Sequence, residues 1–141
     1  MKFSTKTRYG IRAMIEIASD TTANGVFQKD IAKNQDISIK YLDHIIAALK
    51  AAELISNLKG KKSGYILTKS PADISIFDIH NAFENGICVI DCVSLNFKCE
   101  KDGCCSAQSF WKGLNEVVLN YFKNTSLQDL LSDTDLTPLE N

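Results

Sequence analysis

The stretch QKDIAKNQDISIKYLDHIIAALKAAELI, residues 28–55, decides the fold. Its first turns are polar except for Ile31 and Ala32, which predicts a short helix over 28–34 with those two turned inward. Gln35-Asp36-Ile37 reads as a tight turn. Ser38 then stands where a hydroxyl can accept from the first free backbone amides of a helix. Leu42, Ile45, Ile46 and Leu49 recur at helical spacing and predict a stronger helix over 39–53. A short helix, a turn and a longer helix with one apolar stripe form the helix-turn-helix pattern, whose second helix enters the major groove of DNA.

Working outward, residues 54–58 and Tyr65-Ile66-Leu67 are β-prone runs on either side of KGKKSG, residues 59–64. Gly60 and Gly64 let the backbone turn there, so a hairpin follows the second helix as a wing, with Lys59, Lys61 and Lys62 at its tip. Upstream, Ile11, Met14, Ile15 and Ala18 predict a helix over 5–19, and residues 21–25 form a loop. Downstream, Ser75 and Asp78 are spaced as a capping box for a helix over 75–84, with Ile76, Ile79 and Phe83 inward and Gly86 as its stop. Phe110, Leu114, Val117, Val118 and Tyr121 mark a long helix with a broad apolar face, suited to dimerisation, and residues 126–131 add a turn or two. The expected fold is mainly α with a small β-hairpin wing, plus a long C-terminal dimerisation helix. Its parts are a winged helix-turn-helix over 1–86, a cysteine loop over 87–106, the dimerisation helix and following turn over 107–132, and a flexible acidic tail over 133–141.

The net charge of −1 hides an asymmetry. Residues 1–70 carry 12 Lys and Arg against 6 Asp and Glu, whereas residues 71–141 carry 4 against 11. A basic first half is what binding to a phosphate backbone requires. No apolar run approaches the roughly 18 residues of a membrane span. Arg12 and Glu16 break the first apolar run, so it is not a secretory core and the expected location is cytoplasmic. There is no Gly-rich phosphate loop and no paired histidine and nucleophile, so an enzyme is not expected.

All five cysteines, Cys88, Cys92, Cys99, Cys104 and Cys105, fall within eighteen positions, and the other 123 residues hold none. An odd, clustered set of thiols points to metal or redox chemistry rather than to a disulfide framework. Soft thiolates suit an iron–sulfur cluster, with each iron four-coordinate. A zinc site, a thiol oxidation switch and an empty loop remain the alternatives. Cys88 lies in the apolar run Ile87-Cys88-Val89-Ile90, which predicts a buried, inert thiol.

Three blocks carry a family resemblance: MKFSTKTRYGIRAMIEIA over 1–18, SIKYLDHIIAALKAAELI with KGKKSGYIL over 38–67, and the helix with its Asp78-Ile79 pair over 74–86. Together they resemble the Rrf-two family of winged-helix regulators over roughly residues 1–131. The resemblance implies three cysteine ligands ahead of a tryptophan that opens the dimerisation helix. Trp111 is that tryptophan, and Cys105, Cys99 and Cys92 match the third, second and first ligands. Cys104 is the rival third ligand or a fourth. IscR-type members place a histidine where this chain has Gln108; others borrow a ligand from the partner's first helix, where this chain has the cations Arg8 and Arg12. The implied cofactor is an iron–sulfur cluster, [2Fe–2S] rather than [4Fe–4S], with its fourth ligand unassigned. CymR-type members imply the alternative: no cluster, and control by a partner enzyme of cysteine synthesis or by thiol oxidation.

For DNA reading, Ser38, Lys40, Tyr41 and Asp43 are the polar side chains at the start of the second helix. Lys59, Lys61 and Lys62 would follow a phosphate ridge or the minor groove, with Gln28 donating to a phosphate. Trp111, Leu114, Val118 and Tyr121 are the expected homodimer contacts. The expected function is a transcription regulator acting as a repressor, its binding to a pseudo-palindromic double-stranded operator modulated by an iron–sulfur cluster on the cysteine loop, as the resemblance implies. A metal-carrying protein using the helix-turn-helix only as a scaffold is the reading from another class.

Overall fold

The chain folds around its first helix. The computed structural model describes residues 2–59, 63–94 and 97–132, so Lys61, Lys62 and the acidic tail lie outside the described residues. Helix α1 (Thr5–Ala18) starts where the Ser4 hydroxyl accepts from the Thr7 N–H at 3.2 Å. It packs against α2 (Gln28–Gln35) and α3 (Ile39–Ala51) on one side, and against α4 (Ile76–Asn81) and α6 (Leu127–Ser132) on another. Contact on two sides shifts its buried face away from the expected stripe. Thr7, Gly10, Ala13, Met14 and Ile17 are buried, while Ile11, Ile15 and Ala18 flank them half-buried. Small residues at the centre let neighbours come close: a Cβ on Gly10 would lie 2.2 Å from Cε2 of Phe83.

Helix α2 ends at Asp36, whose φ of 52° is a left-handed stop that aspartate tolerates better than most residues. Ser38 caps α3 as expected, its hydroxyl accepting from Tyr41 N–H at 3.2 Å. Leu42, Ile45, Ile46 and Leu49 are all buried. The wing strands β1 (Ile55–Asn57) and β2 (Tyr65–Leu67) pair antiparallel, Ile55 opposite Leu67 and Asn57 opposite Tyr65. A further rung ties the hairpin to the segment before α2. Val26 N–H donates to Tyr65 O at 3.0 Å, and Tyr65 N–H to Val26 O at 2.8 Å. This rung needs Gly25 and Gly64, since a Cβ on Gly64 would lie 2.5 Å from the carbonyl carbon of Gly25.

The capping box of α4 is present, with Ser75 and Asp78 each bonding the other's backbone N–H. The helix stops at Asn81, shorter than expected, and a turn follows in which Asn81 Oδ1 holds the N–H of Gly86. Helix α5 (Gln108–Asn124) packs on α4. The chain then doubles back: Ile76 N–H donates to Thr125 O, Leu127 N–H donates to Ile74 O, and Leu127 is fully buried. Helix α6 is therefore stitched into the same core as α1 and α4, a burial of the kind that contributes about 2 kcal/mol per leucine. No helix among the described residues is long and apolar enough to cross a membrane.

Candidate nucleic-acid interface and cysteine loop

The N-terminal turns of α3 form an open, polar surface. Ser38, Lys40, Asp43 and His44 are exposed there, and Ser38, Lys40, Tyr41 and His44 line a shallow depression. Tyr41 is half-buried, its ring edge-on to Tyr9 at 5.5 Å, so it anchors the helix as well as facing outward. Ile39 is 49% exposed at the first helical position. An apolar side chain there suits contact with a thymine methyl group. Sequence reasoning passed over it because a lone isoleucine at a helix start carries no polar signal.

Gln28 is placed differently from expectation. Its Nε2 donates to Asp43 Oδ1 at 2.5 Å and, at 3.4 Å, to Ile39 O; its Oε1 accepts from the Tyr65 hydroxyl at 3.3 Å. Its amide is thus committed within the protein, between α2, α3 and the hairpin, rather than turned to a phosphate. Burial, and then the charge of Asp43, push the Tyr65 hydroxyl pKa up, which keeps it a donor. The hairpin is held on the same helix by Lys50, whose Nζ sits 5.0 Å from the centre of the Tyr65 ring. Lys59 is exposed on the wing, where its N–H donates to Ser63 Oγ at 2.7 Å.

Arg12 is likewise spoken for. Its Nε donates to Gln35 Oε1 at 2.9 Å, a second guanidinium nitrogen donates to the Gln35 carbonyl, and the group lies over Tyr9. Gln35 in turn donates to Glu16, which binds Arg12 into the α1–α2 contact. Arg8 is exposed beside Lys2, Ser4, Thr5 and Glu84, around an open concavity at the start of α1.

Between α4 and α5 runs the cysteine loop. Cys88 is exposed, not buried as its apolar neighbours imply, and its thiol donates to Ile90 O at 2.9 Å. The run Ile87–Ile90 is only half-covered because it crosses the surface at the foot of α5, where Val89 N–H donates to Asn115 Oδ1 at 2.9 Å. Cys92 is half-buried in a short 3₁₀ turn, Asp91–Val93. Cys99 and Cys105 are also half-buried, whereas Cys104 is exposed and donates to Lys101 O at 3.3 Å. Gln108 Nε2 donates to Asp102 Oδ1 at 2.5 Å, so this side chain closes the loop onto itself. Among the described residues no three Cys, His, Asp or Glu side chains are placed to hold a metal ion. The three thiolates suit an iron–sulfur cluster in kind; as folded here, they do not suit it in arrangement.

His80 is the residue that sequence reasoning missed. It is 2% exposed, with Nε2 2.8 Å from Gly86 O and Nδ1 3.2 Å from Thr7 Oγ1. A carbonyl can only accept, so Nε2 carries a proton and donates to Gly86 O, while the Thr7 hydroxyl pairs with Nδ1. The ring also meets Phe3 and Phe122 edge-on. One buried side chain thus joins α1, α4, α5 and the threshold of the cysteine loop. Only the tertiary contacts reveal this; nothing in the spacing of residues around position 80 distinguishes it.

Helix α5 carries a bare apolar strip. Phe110, Leu114, Val117 and Tyr121 are 64%, 38%, 66% and 71% exposed. Trp111 is half-buried with its ring edge-on to Phe110 at 5.0 Å, and Val118 is half-buried on the flank.

Comparison with known proteins matches this arrangement over nearly its whole length. The family model Rrf2, described as an iron-dependent transcriptional regulator, matches residues 3–133. Protein rrf2 of Nitratidesulfovibrio vulgaris is 32% identical over 98% of this chain and 92% of its own. The HTH-type transcriptional regulator IscR of Escherichia coli is 25% identical over 96% of this chain and 83% of its own. Among solved structures, CymR, the global cysteine regulator of B. subtilis, superposes with a TM-score of 0.82 at 30% identity, covering 96% of this chain and 99% of CymR. IscR of T. potens does so with a TM-score of 0.76 at 30% identity, covering 100% of this chain and 93% of that one. These relatives are regulators of transcription and not enzymes, and they share the helical architecture with its two-stranded wing. The chain belongs to the Rrf2 family of DNA-binding transcriptional regulators.

Proposed function

We propose that this chain acts as a homodimeric repressor that reads a pseudo-palindromic operator, and that its cysteine loop sets the operator affinity. The observation that carries the reading is the exposed polar start of α3 beside a lysine-bearing hairpin. Ser38, Lys40, Tyr41 and Asp43 would face base edges, Lys59, Lys61 and Lys62 the phosphates, and the α5 strip with Trp111 and Val118 the second copy. Half-sites about one DNA turn apart would then be read together. Replacing Lys61 and Lys62 by alanine removes two lysines from each protomer of the dimer and should weaken binding to all sequences alike, lowering the salt slope by about 4. Lys40→Ala should instead relax preference at one position, by about 1–3 kcal/mol. Binding titrations at several salt concentrations separate the two; a Lys40→Ala protein with unchanged preference would place another face of α3 in the groove.

The loop has two readings. In the first, Cys92, Cys99 and Cys105 hold a [2Fe–2S] cluster, with Cys104 as rival or additional ligand. The clustered thiols and the iron-dependent description of the family model support it. The thiols would have to draw together from their described positions. In the second, the loop works without a cluster, through thiol oxidation or a partner enzyme of cysteine metabolism. The lack, among the described residues, of three thiols placed to hold a metal ion and the similarity to CymR favour that one. Anaerobic purification with iron and sulfide assays decides between them. The first reading expects about two irons and two sulfides per chain, lost when Cys92, Cys99 and Cys105 become serine; absence of both from the anaerobic protein leaves the second. In either case the loop touches the DNA-reading core through Gly86–His80–Thr7 and the dimerisation helix through Val89–Asn115, so a change in its state biases how the two heads are spaced.

A further inference from the structure

The contact between Gln28 and Asp43 ties the wing to the recognition helix through a single amide. The amide's orientation follows from its partners. Asp43 Oδ1 and the Ile39 carbonyl can only accept, so the NH₂ group must face them. Oε1 is then left facing Tyr65, and the phenol must donate to it. Tyr65 is itself immobilised. Its backbone pairs with Val26, its strand partner is Asn57, and Lys50 covers its ring. The result is a directed chain, Tyr65 O–H to Gln28 Oε1 and Gln28 N–H to Asp43 Oδ1, ending on an exposed carboxylate one turn into α3. Among the described residues Asp43 Oδ2 has no hydrogen-bond partner.

A carboxylate restrained in this way differs from one on a swinging side chain. As an acceptor it favours the amino edge of cytosine or adenine over the acceptor edges of guanine O6 and thymine O4, and holding it in place confines that preference to one base position. We infer that Gln28, held by the Tyr65 hydroxyl, is a positioning residue that aims the Asp43 carboxylate at a base edge, so that wing and recognition helix set one base preference jointly. The inference rests on the proposed DNA-reading role of α3 and deepens it. It also gives the wing a part in sequence selection that needs no wing side chain in contact with a base.

The test uses the full-length chain. A random duplex pool yields the preferred site, and competition with single base-pair variants then measures discrimination at each position. Asp43→Ala should abolish preference at one position per half-site. Tyr65→Phe keeps the ring under Lys50 and removes only the hydroxyl; Gln28→Met keeps the volume and removes the amide. Each should lower discrimination at that same position about three- to tenfold, the worth of one hydrogen bond, and leave non-specific affinity and its salt slope unchanged. Neither change should have any further effect in an Asp43→Ala background. Unaltered discrimination in both Tyr65→Phe and Gln28→Met overturns the inference. So does a uniform loss of affinity that persists in the Asp43→Ala background, the mark of a merely structural brace. If Asp43→Ala changes no preference while Lys40→Ala does, the inference fails and the DNA-reading role survives. A wild-type chain that selects no sequence at all removes both.

Discussion

Replacing Val117 and Tyr121 together by glutamate is expected to leave the chain folded and to lower operator affinity by about two to four orders of magnitude. Both side chains are exposed, at 66% and 71%, and the core is built from other residues. A glutamate at either position therefore meets water in the single chain and costs little stability. In a dimer formed through this strip, the same carboxylates would be desolvated and would oppose their symmetry mates. The loss at the operator follows from linkage. Two heads joined in one dimer bind the second half-site at an effective concentration in the millimolar range, and separate heads lose that advantage. Sedimentation gives the mass, thermal melting confirms the fold, and retardation on full and half operators gives affinity. The half-site should bind the variant and the wild type alike. A variant that keeps both its dimer mass and its operator affinity would place the interface elsewhere.

The second large effect is expected at the root of the wing. Gly64→Val puts a branched side chain where a Cβ would already lie 2.5 Å from Gly25 C and 2.8 Å from Val26 N. These are backbone atoms, so no rotamer change relieves the clash. The Val26–Tyr65 rung must open, exposing two backbone hydrogen bonds and moving β2 away from α3. Overpacking together with the lost bonds gives about 2–4 kcal/mol of destabilisation. Urea denaturation should show a lower midpoint, and specific DNA affinity should fall further than non-specific affinity, because Tyr65 carries Gln28 with it. An unchanged midpoint would mean that the two glycine segments separate at little cost, and that the hairpin is not held by this rung.

Several elements were legible in the residues because the forces that make them act within a few positions. Ser38 and the Ser75–Asp78 pair cap helices through bonds spanning three residues, and they do so as read. Leu42, Ile45, Ile46 and Leu49 share one helix face by the 3.6-residue period alone, and all four are buried. The centre of α1 was less legible. Periodicity finds one apolar stripe, whereas a helix packed on two sides can bury small and polar residues such as Thr7 and Gly10 instead. Cys88 shows the reverse error: apolar neighbours imply burial only if something covers them, and this run crosses the surface.

The amino-acid sequence by itself determined the winged helix-turn-helix, the position of the cysteine loop and the family, since local periodicity, capping and motif spacing suffice for each. Tertiary structure alone decided which polar groups meet. Gln28 finds Asp43 across 15 positions and Tyr65 across 37, and His80 finds Thr7 across 73. Such bonds depend on how helices are stacked, and a side chain buried among apolar rings or turned toward a neighbouring helix leaves no period behind. The same reason governs the thiols. Their clustering along the chain is plain, whereas whether three of them meet is decided by how the loop folds, and among the described residues no three are placed to hold a metal ion.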